Sequence, residues 1–189
     1  MLLASRFAHR PNDVLRLFYT PSRRREAGPF CAILAKRRQP YREVPPEELQ
    51  RIAATPHHGG IVAIAAPRTV PLLNPSDLPG ILWASPVLPI LDGIGNPHNL
   101  GAIARSAAFF GCKALVLSGD PRQARLSDAA FRTAEGGLEA LAVFQAPALP
   151  AFLAALSSRM LTVAAVARDG VAPEKLPHGR PVALVLGNE

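Results

Sequence analysis

Apolar residues in this chain fall into short runs broken by proline, glycine and charge, and the rhythm of those runs changes near Pro86. Val14 to Tyr19 mixes aliphatic and aromatic residues over six positions and predicts a strand. Glu26 to Arg38 predicts a helix, and Tyr41 to Val44 a short strand. Pro45-Pro46-Glu47-Glu48 opens a second helix, because proline suits a first turn and acids suit the positive end of the helix dipole. Ile61 to Ala65 predicts a third strand after the Gly59-Gly60 turn. Strand–helix–strand–helix–strand implies a small α/β layer over residues 1–66. Between Pro67 and Pro86, with Pro71, Pro75, Pro79 and Gly80, no period is sustained. Residues 67–85 therefore predict a linker with a short turn near Leu78.

From Pro86 the runs alternate as strand and helix. Val87–Leu91 predicts a buried strand, and Asn99–Phe110 a helix with Leu100, Ile103, Ala107 and Phe110 on one stripe, stopped by Gly111. Ala114–Leu117 is the next strand, Leu126–Phe131 a short helix, and Ala134-Glu135-Gly136-Gly137 a turn. Leu141–Phe144, Leu161–Val166 and Val182–Leu186 are strands, with a helix over Leu149–Ser158. Continuous apolar strands separated by helices predict a parallel sheet covered on both faces. The class is α/β, in two parts.

Charge sharpens this division. The net charge is +7, yet residues 1–80 hold 12 Arg and Lys against 6 Asp and Glu, and residues 81–189 hold 9 against 8. Arg23-Arg24-Arg25 and Lys36-Arg37-Arg38 concentrate the excess, and Arg outnumbers Lys 18 to 3. Guanidinium clusters suit two-pronged phosphate contacts and salt-dependent binding of a polyanion. A basic surface also serves solubility alone. The mean hydropathy is +0.15. No window approaches the roughly 20 apolar residues of a membrane span. Cys31 and Cys112 lack metal-ligand spacing and predict two reduced, packed thiols. His57 and His58 precede a glycine turn; neighbours on an extended segment face opposite ways, which disfavours a shared metal.

The densest chemistry lies in Asn96-Pro97-His98-Asn99-Leu100-Gly101-Ala102-Ile103-Ala104-Arg105, at the junction of a strand and a helix. Asn96 as a cap and Pro97 in the first turn explain themselves. Asn99 and Arg105 do not. A cation near a buried stripe needs an anionic partner or a cleft. A ligand site and a structural cap with a surface arginine both remain open on these residues. Gly93-x-Gly95 offers only a fragment of the glycine pattern of a dinucleotide-binding fold.

The run 86–112, with Asn-x-Gly-x-x-x-Arg at 99–105, resembles the first motif of the SpoU/TrmH branch of the SPOUT RNA methyltransferases. The resemblance continues through Ala114–Leu117 and Arg132-Thr-Ala-Glu-Gly-Gly-Leu-Glu, where Ala134 stands at a place often taken by serine. Val182-Ala-Leu-Val-Leu-Gly-Asn-Glu is similar to the strand and turn of the second motif. His57-His58-Gly59-Gly60-Ile61 resembles an element before the linker, and residues 1–66 resemble the L30e-like substrate-binding domain of these enzymes, with its opening helix shortened.

The resemblance implies a parallel-sheet α/β-knot domain over 86–189 that moves a methyl group from S-adenosylmethionine to a ribose 2′-hydroxyl of tRNA or rRNA. It assigns Asn99, Arg105 and Glu189 to catalysis and Ala165, Val166, Leu186 and Gly187 to the cofactor. Arg16, Arg23, Arg24, Arg25, Arg37 and Arg38 become the candidates for RNA contact. It implies no metal, a cytoplasmic protein and a homodimer at full length. The family's third motif and last helix have no counterpart in the sequence, so the expectation is a domain cut before that motif, inactive as 189 residues. The alternative is a non-catalytic RNA-binding remnant.

Overall fold

Two separately packed units make up the computed structural model, which describes residues 2–187: Leu3–Arg68 form one, and the chain from Thr69 onward forms the other. The first contains α1 (Leu2–His9), β1 (Val14–Tyr19), α2 (Arg24–Lys36), β2 (Tyr41–Glu43), α3 (Pro46–Ala53) and β3 (Ile61–Ala65). Its sheet runs β2-β1-β3, parallel between β1 and β2 and antiparallel between β1 and β3. Phe7, Val14, Leu17, Ala27, Cys31 and Leu34 form the core. The opening helix is two turns long and is pinned by Phe7, whose ring stacks on Phe30 at 4.7 Å. α2 starts two residues before Glu26, directly after a 3-10 turn at Pro21–Arg23.

The second unit holds β4 (Val87–Asp92), α4 (Pro97–Phe109), β5 (Ala114–Ser118), α5 (Asp128–Ala134), α6 (Gly137–Ala140), β6 (Ala142–Ala146), α7 (Leu149–Leu156), β7 (Leu161–Ala164) and β8 (Val182–Gly187). All five strands are parallel, in the order β6-β5-β4-β8-β7. Alternation sorts the strand residues to two faces. Leu91, Leu115 and Leu117 pack with Leu100, Ala104 and Leu138, whereas Leu88, Ile90 and Val116 pack with Phe152, Leu156 and Met160.

Several details depart from the sequence expectations, among them α1, which no pattern in the sequence predicts, the start of α4 at Pro97 rather than Asn99, and the start of β6 one residue later, at Ala142. The buried stripe of α4 is Leu100, Ala104 and Ala107, and Phe110 lies outside it, 79% exposed beside Phe109 at 82%. α5 begins at Asp128 rather than Leu126, because the Ser127 side chain accepts a hydrogen bond from the Ala130 amide and sets the helix start. α6 follows the glycine turn, where the sequence pattern predicts no helix. β7 stops at Ala164, so Ala165 and Val166 belong to the following loop. Within residues 67–85, Leu73 and Leu82 are buried in the second core, and the Leu73 amide donates to the Gln145 carbonyl at 2.7 Å. Isolated anchors of this kind leave no period to detect.

Candidate functional site

At the C-terminal end of β4 the chain turns through Gly93, with φ +69°, into the first turn of α4. The Asn96 side chain accepts from the His98 amide at 2.8 Å and Pro97 fills the first helical position, so the helix starts as the sequence requires. The turn is held from the end of β5 and the loop that follows it. Buried Ser118 accepts from the Gly93 amide at 3.2 Å. Gln123, also buried, takes the Ile94 amide on its Oε1 at 3.1 Å and returns its Nε2 to the Ile94 carbonyl at 3.2 Å. One side-chain amide thus acts as a strand partner for a single residue. In the same loop Arg122 clasps Asp120 with two hydrogen bonds, at 3.1 and 2.8 Å, and the Arg122 amide donates to the same carboxylate at 2.7 Å. The Arg122 side-chain bonds are the main reason the Asp120 carboxyl titrates at about 2, and the amide bond adds to them.

Arg105 is exposed rather than set against the buried stripe, so burial does not demand an anionic partner, yet it has one. Its Nη1 lies 3.3 Å from Glu135 Oε1, with the two side chains 52% and 51% exposed. Glu135 caps α5 in the left-handed region, φ 47°, and Gly136 follows at φ 99°. A Cβ on Gly137 would sit 2.8 Å from the Arg105 Cα, and one on Gly101 would sit 2.5 Å from the Ala130 carbonyl oxygen. Backbone contact at two glycines therefore presses α4 against α5 and the turn after it. His98 Nδ1 and Thr133 Oγ1, 2.9 Å apart, add a polar tie. Asn99 is exposed on α4, and no side-chain hydrogen bond joins it to Arg105 among the described residues.

β7 and β8 leave the sheet side by side, with Ala164 opposite Val185 and the Ala165 amide donating to the Val185 carbonyl at 2.9 Å. Val166 is 58% exposed. Gly187 pairs with Asp92 of β4, and among the described residues nothing lies within 4 Å of a Cβ built on it. Leu186 is partly buried and lines an apolar groove of about 260 Å³ with Ile103, Ala107, Phe110 and Leu184. Glu189 lies outside the described residues. Among the described residues no three His, Cys, Asp or Glu gather as a metal site, and no helix is long and apolar enough to cross a membrane. Cys31 and Cys112 are both buried free thiols whose titration burial pushes upward.

The six arginines singled out for RNA divide into two groups. Arg23 pairs with Glu26 at 2.7 Å, Arg24 grips Glu43 with two bonds at 2.7 Å, and Arg37 donates to the carbonyls of Pro11 and Asn12. Arg16, Arg25 and Arg38 are exposed and make no side-chain hydrogen bond or ion pair among the described residues. Sequence reasoning missed Gln123 and Glu135. A lone glutamine in a polar loop gives no signal. Glu135 gave one, as an acid placed directly before two glycines.

Residues 86–189 match the SpoU rRNA methylase family, and residues 2–71 match the family described as RNA 2′-O ribose methyltransferase substrate binding. An uncharacterised tRNA/rRNA methyltransferase of Haemophilus influenzae is 36% identical over 141 residues, covering 74% of this chain and 39% of its own length. The 23S rRNA (guanosine-2′-O-)-methyltransferase RlmB of Acinetobacter baylyi is 33% identical over 148 residues, 76% of this chain and 58% of the relative. The chain thus spans about half the length of these curated relatives. A crystal structure of an rRNA methyltransferase from Sinorhizobium meliloti aligns over 100% of this chain and 70% of its own, with a TM-score of 0.76 at 22% identity. The SpoU methyltransferase AviRb of Streptomyces viridochromogenes, solved with AdoMet, aligns over the same shares with a TM-score of 0.67 at 18% identity. The α/β fold with its five-stranded parallel sheet is the one these methyltransferases share.

Proposed function

The chain belongs to the SpoU rRNA methylase family, and from that premise we propose that it transfers a methyl group from S-adenosylmethionine to a ribose 2′-hydroxyl of tRNA or rRNA. The observation that carries the proposal is the setting of Arg105, half-exposed on a helix whose backbone is pressed against the 135–137 turn. A ribose hydroxyl is a poor nucleophile until its proton leaves or its oxygen is stabilised. Arg105 cannot take that proton, since a guanidinium stays charged at any working pH. It can hold the neighbouring phosphate and stabilise the developing alkoxide, leaving the proton to the phosphate or another acceptor. Asn99, exposed in the first turn of α4, orients the ribose rather than Arg105, which already has Glu135. Glu189 is assigned to the same site.

The ends of β7 and β8 suit a flat, partly apolar group. Among the described residues nothing crowds Gly187, Val166 presents an exposed apolar face, and Ala165 is fixed by its amide. Ala165, Val166 and Gly187 would hold the cofactor, which when bound supplies a methyl group activated on a sulfonium. Leu186 would contribute through its backbone, since its side chain lines the groove beside α4. Of the six candidate arginines, Arg16, Arg25 and Arg38 would reach RNA phosphates without giving up a partner found among the described residues. The exposed Phe109 and Phe110 support assembly as a homodimer.

Transfer of labelled methyl from S-adenosylmethionine to bulk tRNA and bulk rRNA, followed by nuclease digestion to identify 2′-O-methylated nucleotides, tests the reading. Arg105→Ala should lower turnover by roughly 10²–10³-fold, as removal of an oxyanion donor does. Unchanged turnover in that variant would overturn the assignment of Arg105. Binding of RNA with no transfer to either class would leave only an RNA-binding role.

A further inference from the structure

We propose that Glu135 is a positioning residue for Arg105, a displaceable carboxylate that holds the guanidinium at the site and yields it to an RNA phosphate. The proposal rests on the role given to Arg105 above. Glu135 meets Arg105 through a single contact at 3.3 Å, with both side chains about half exposed. Pairs of this kind are weak, because water screens them and two long side chains must be ordered. The contrast with Arg24 and Glu43, joined by two bonds at 2.7 Å, is plain.

The weak contact is nonetheless built into the backbone. Ala134 is fully buried and fixes the end of α5. Glu135 then takes a left-handed conformation at φ 47°, unusual for a residue with a side chain, and Gly136 continues the turn at φ 99°. Gly137 brings the turn so close that any Cβ there would fall 2.8 Å from the Arg105 Cα. The carboxylate therefore reaches Arg105 because the chain delivers it there.

A phosphate placed on Arg105 can engage the planar guanidinium through two oxygens, where Glu135 engages it through one. The phosphate is also a like charge to Glu135, so the carboxylate must swing away as the RNA seats. Binding is then an exchange of anions. Only an RNA whose backbone puts a phosphate squarely on Arg105 completes it. A loosely placed strand loses the competition, and Glu135 thereby lowers overall affinity while favouring the correct register.

The test is a double-mutant cycle on the dissociation constant for bulk tRNA and bulk rRNA fragments. Glu135→Gln keeps the shape and removes the charge; it should tighten binding about 2–5-fold, the range open to an exposed ion pair. Glu135→Asp, which keeps the charge, should stay near the wild-type value. In the Arg105→Ala background, Glu135→Gln should have no effect, because there is no guanidinium left to release. Asp128→Asn, removing an exposed acid from α5, sets the size of a general charge effect. If Glu135→Gln tightens binding equally with and without Arg105, or no more than Asp128→Asn does, the proposal is wrong while the methyltransferase reading stands. Weaker binding by Glu135→Gln would also overturn it. A wild-type protein that neither binds nor methylates either RNA would remove both.

Discussion

Arginine does different work in the two units. In the first, Arg6 and Arg10 pack inward on Asp13, while of the six RNA candidates half are tied to carboxylates or carbonyls and half make no side-chain bond among the described residues. In the second, the one arginine of the motif is set by backbone contact through Gly101 and Gly137. A displayed charge tolerates change in its neighbours. A side chain aimed by close backbone packing does not. On the proposed function, affinity for a polyanion would be spread over a forgiving surface, whereas the chemistry would depend on a few places with no room.

The largest effect should come from filling one of those places. Gly101→Val puts a side chain against the Ala130 carbonyl and Thr133, where backbone cannot retreat; overpacking of this kind costs roughly 1–3 kcal/mol or more. Gly59→Ala, at φ +63° with open space around it, should cost only about 1 kcal/mol of backbone strain. Thermal melts of the two variants side by side decide the matter, and equal losses would erase the contrast between the units.

Next comes Gln123→Leu. It strips the Ile94 amide of its partner in a buried place, at about 1–3 kcal/mol. Hydrogen exchange at Ile94 should accelerate in this variant while that of the β1 amides stays slow. Exchange that rises equally in both units would mean global loosening instead.

A smaller change, in binding alone, is expected from Arg16, Arg25 and Arg38 replaced together by Gln. The dependence of log affinity for RNA on log salt should flatten by about one for each phosphate left without its arginine. The same replacement of Arg23, Arg24 and Arg37 should flatten it less, since those guanidinium groups already have partners. Equal flattening would show that the pairs in the first unit open freely.

Smallest is the pH response of Asp120. Its folded carboxyl titrates at about 2, against an ordinary value of about 4. A lowered carboxyl stabilises the fold above about pH 4, and that contribution disappears as the pH falls through about 2. Asp120→Asn should therefore melt slightly below wild type at neutral pH and converge with it near a pH of about 2. A gap that persisted in acid would mean that Asp120 acts through shape rather than charge.

The strands were legible because burial on both faces leaves unbroken apolar runs, as in Val87–Leu91 and Ala114–Leu117. Asn96 and Pro97 announced their helix start for local reasons that need no tertiary contact. Phe110 misled, since the period of α4 cannot say which hydrophobic residue at its end lies beyond the core. α6 was hidden for the opposite reason: four residues are too few to show a period, and packing against α4 decides their form. At the site, the sequence placed Arg105 near the buried stripe, but the side chain is exposed and its pairing with Glu135 could not be read from the helix period. Glu135 lies 30 positions away and meets it only because two glycines let the helices close.

β8 sits between β4 and β7 although it follows both in the chain. Among the described residues β7 pairs in the sheet with β8 alone. As the polypeptide leaves the ribosome, Leu161–Ala164 must therefore wait unpaired until Val182 and its successors arrive, a delay of the order of seconds at about 5–20 residues per second. During that interval an unsatisfied strand edge is open to the wrong partner, so the yield of folded protein should depend on translation speed and on chaperones that shield such edges.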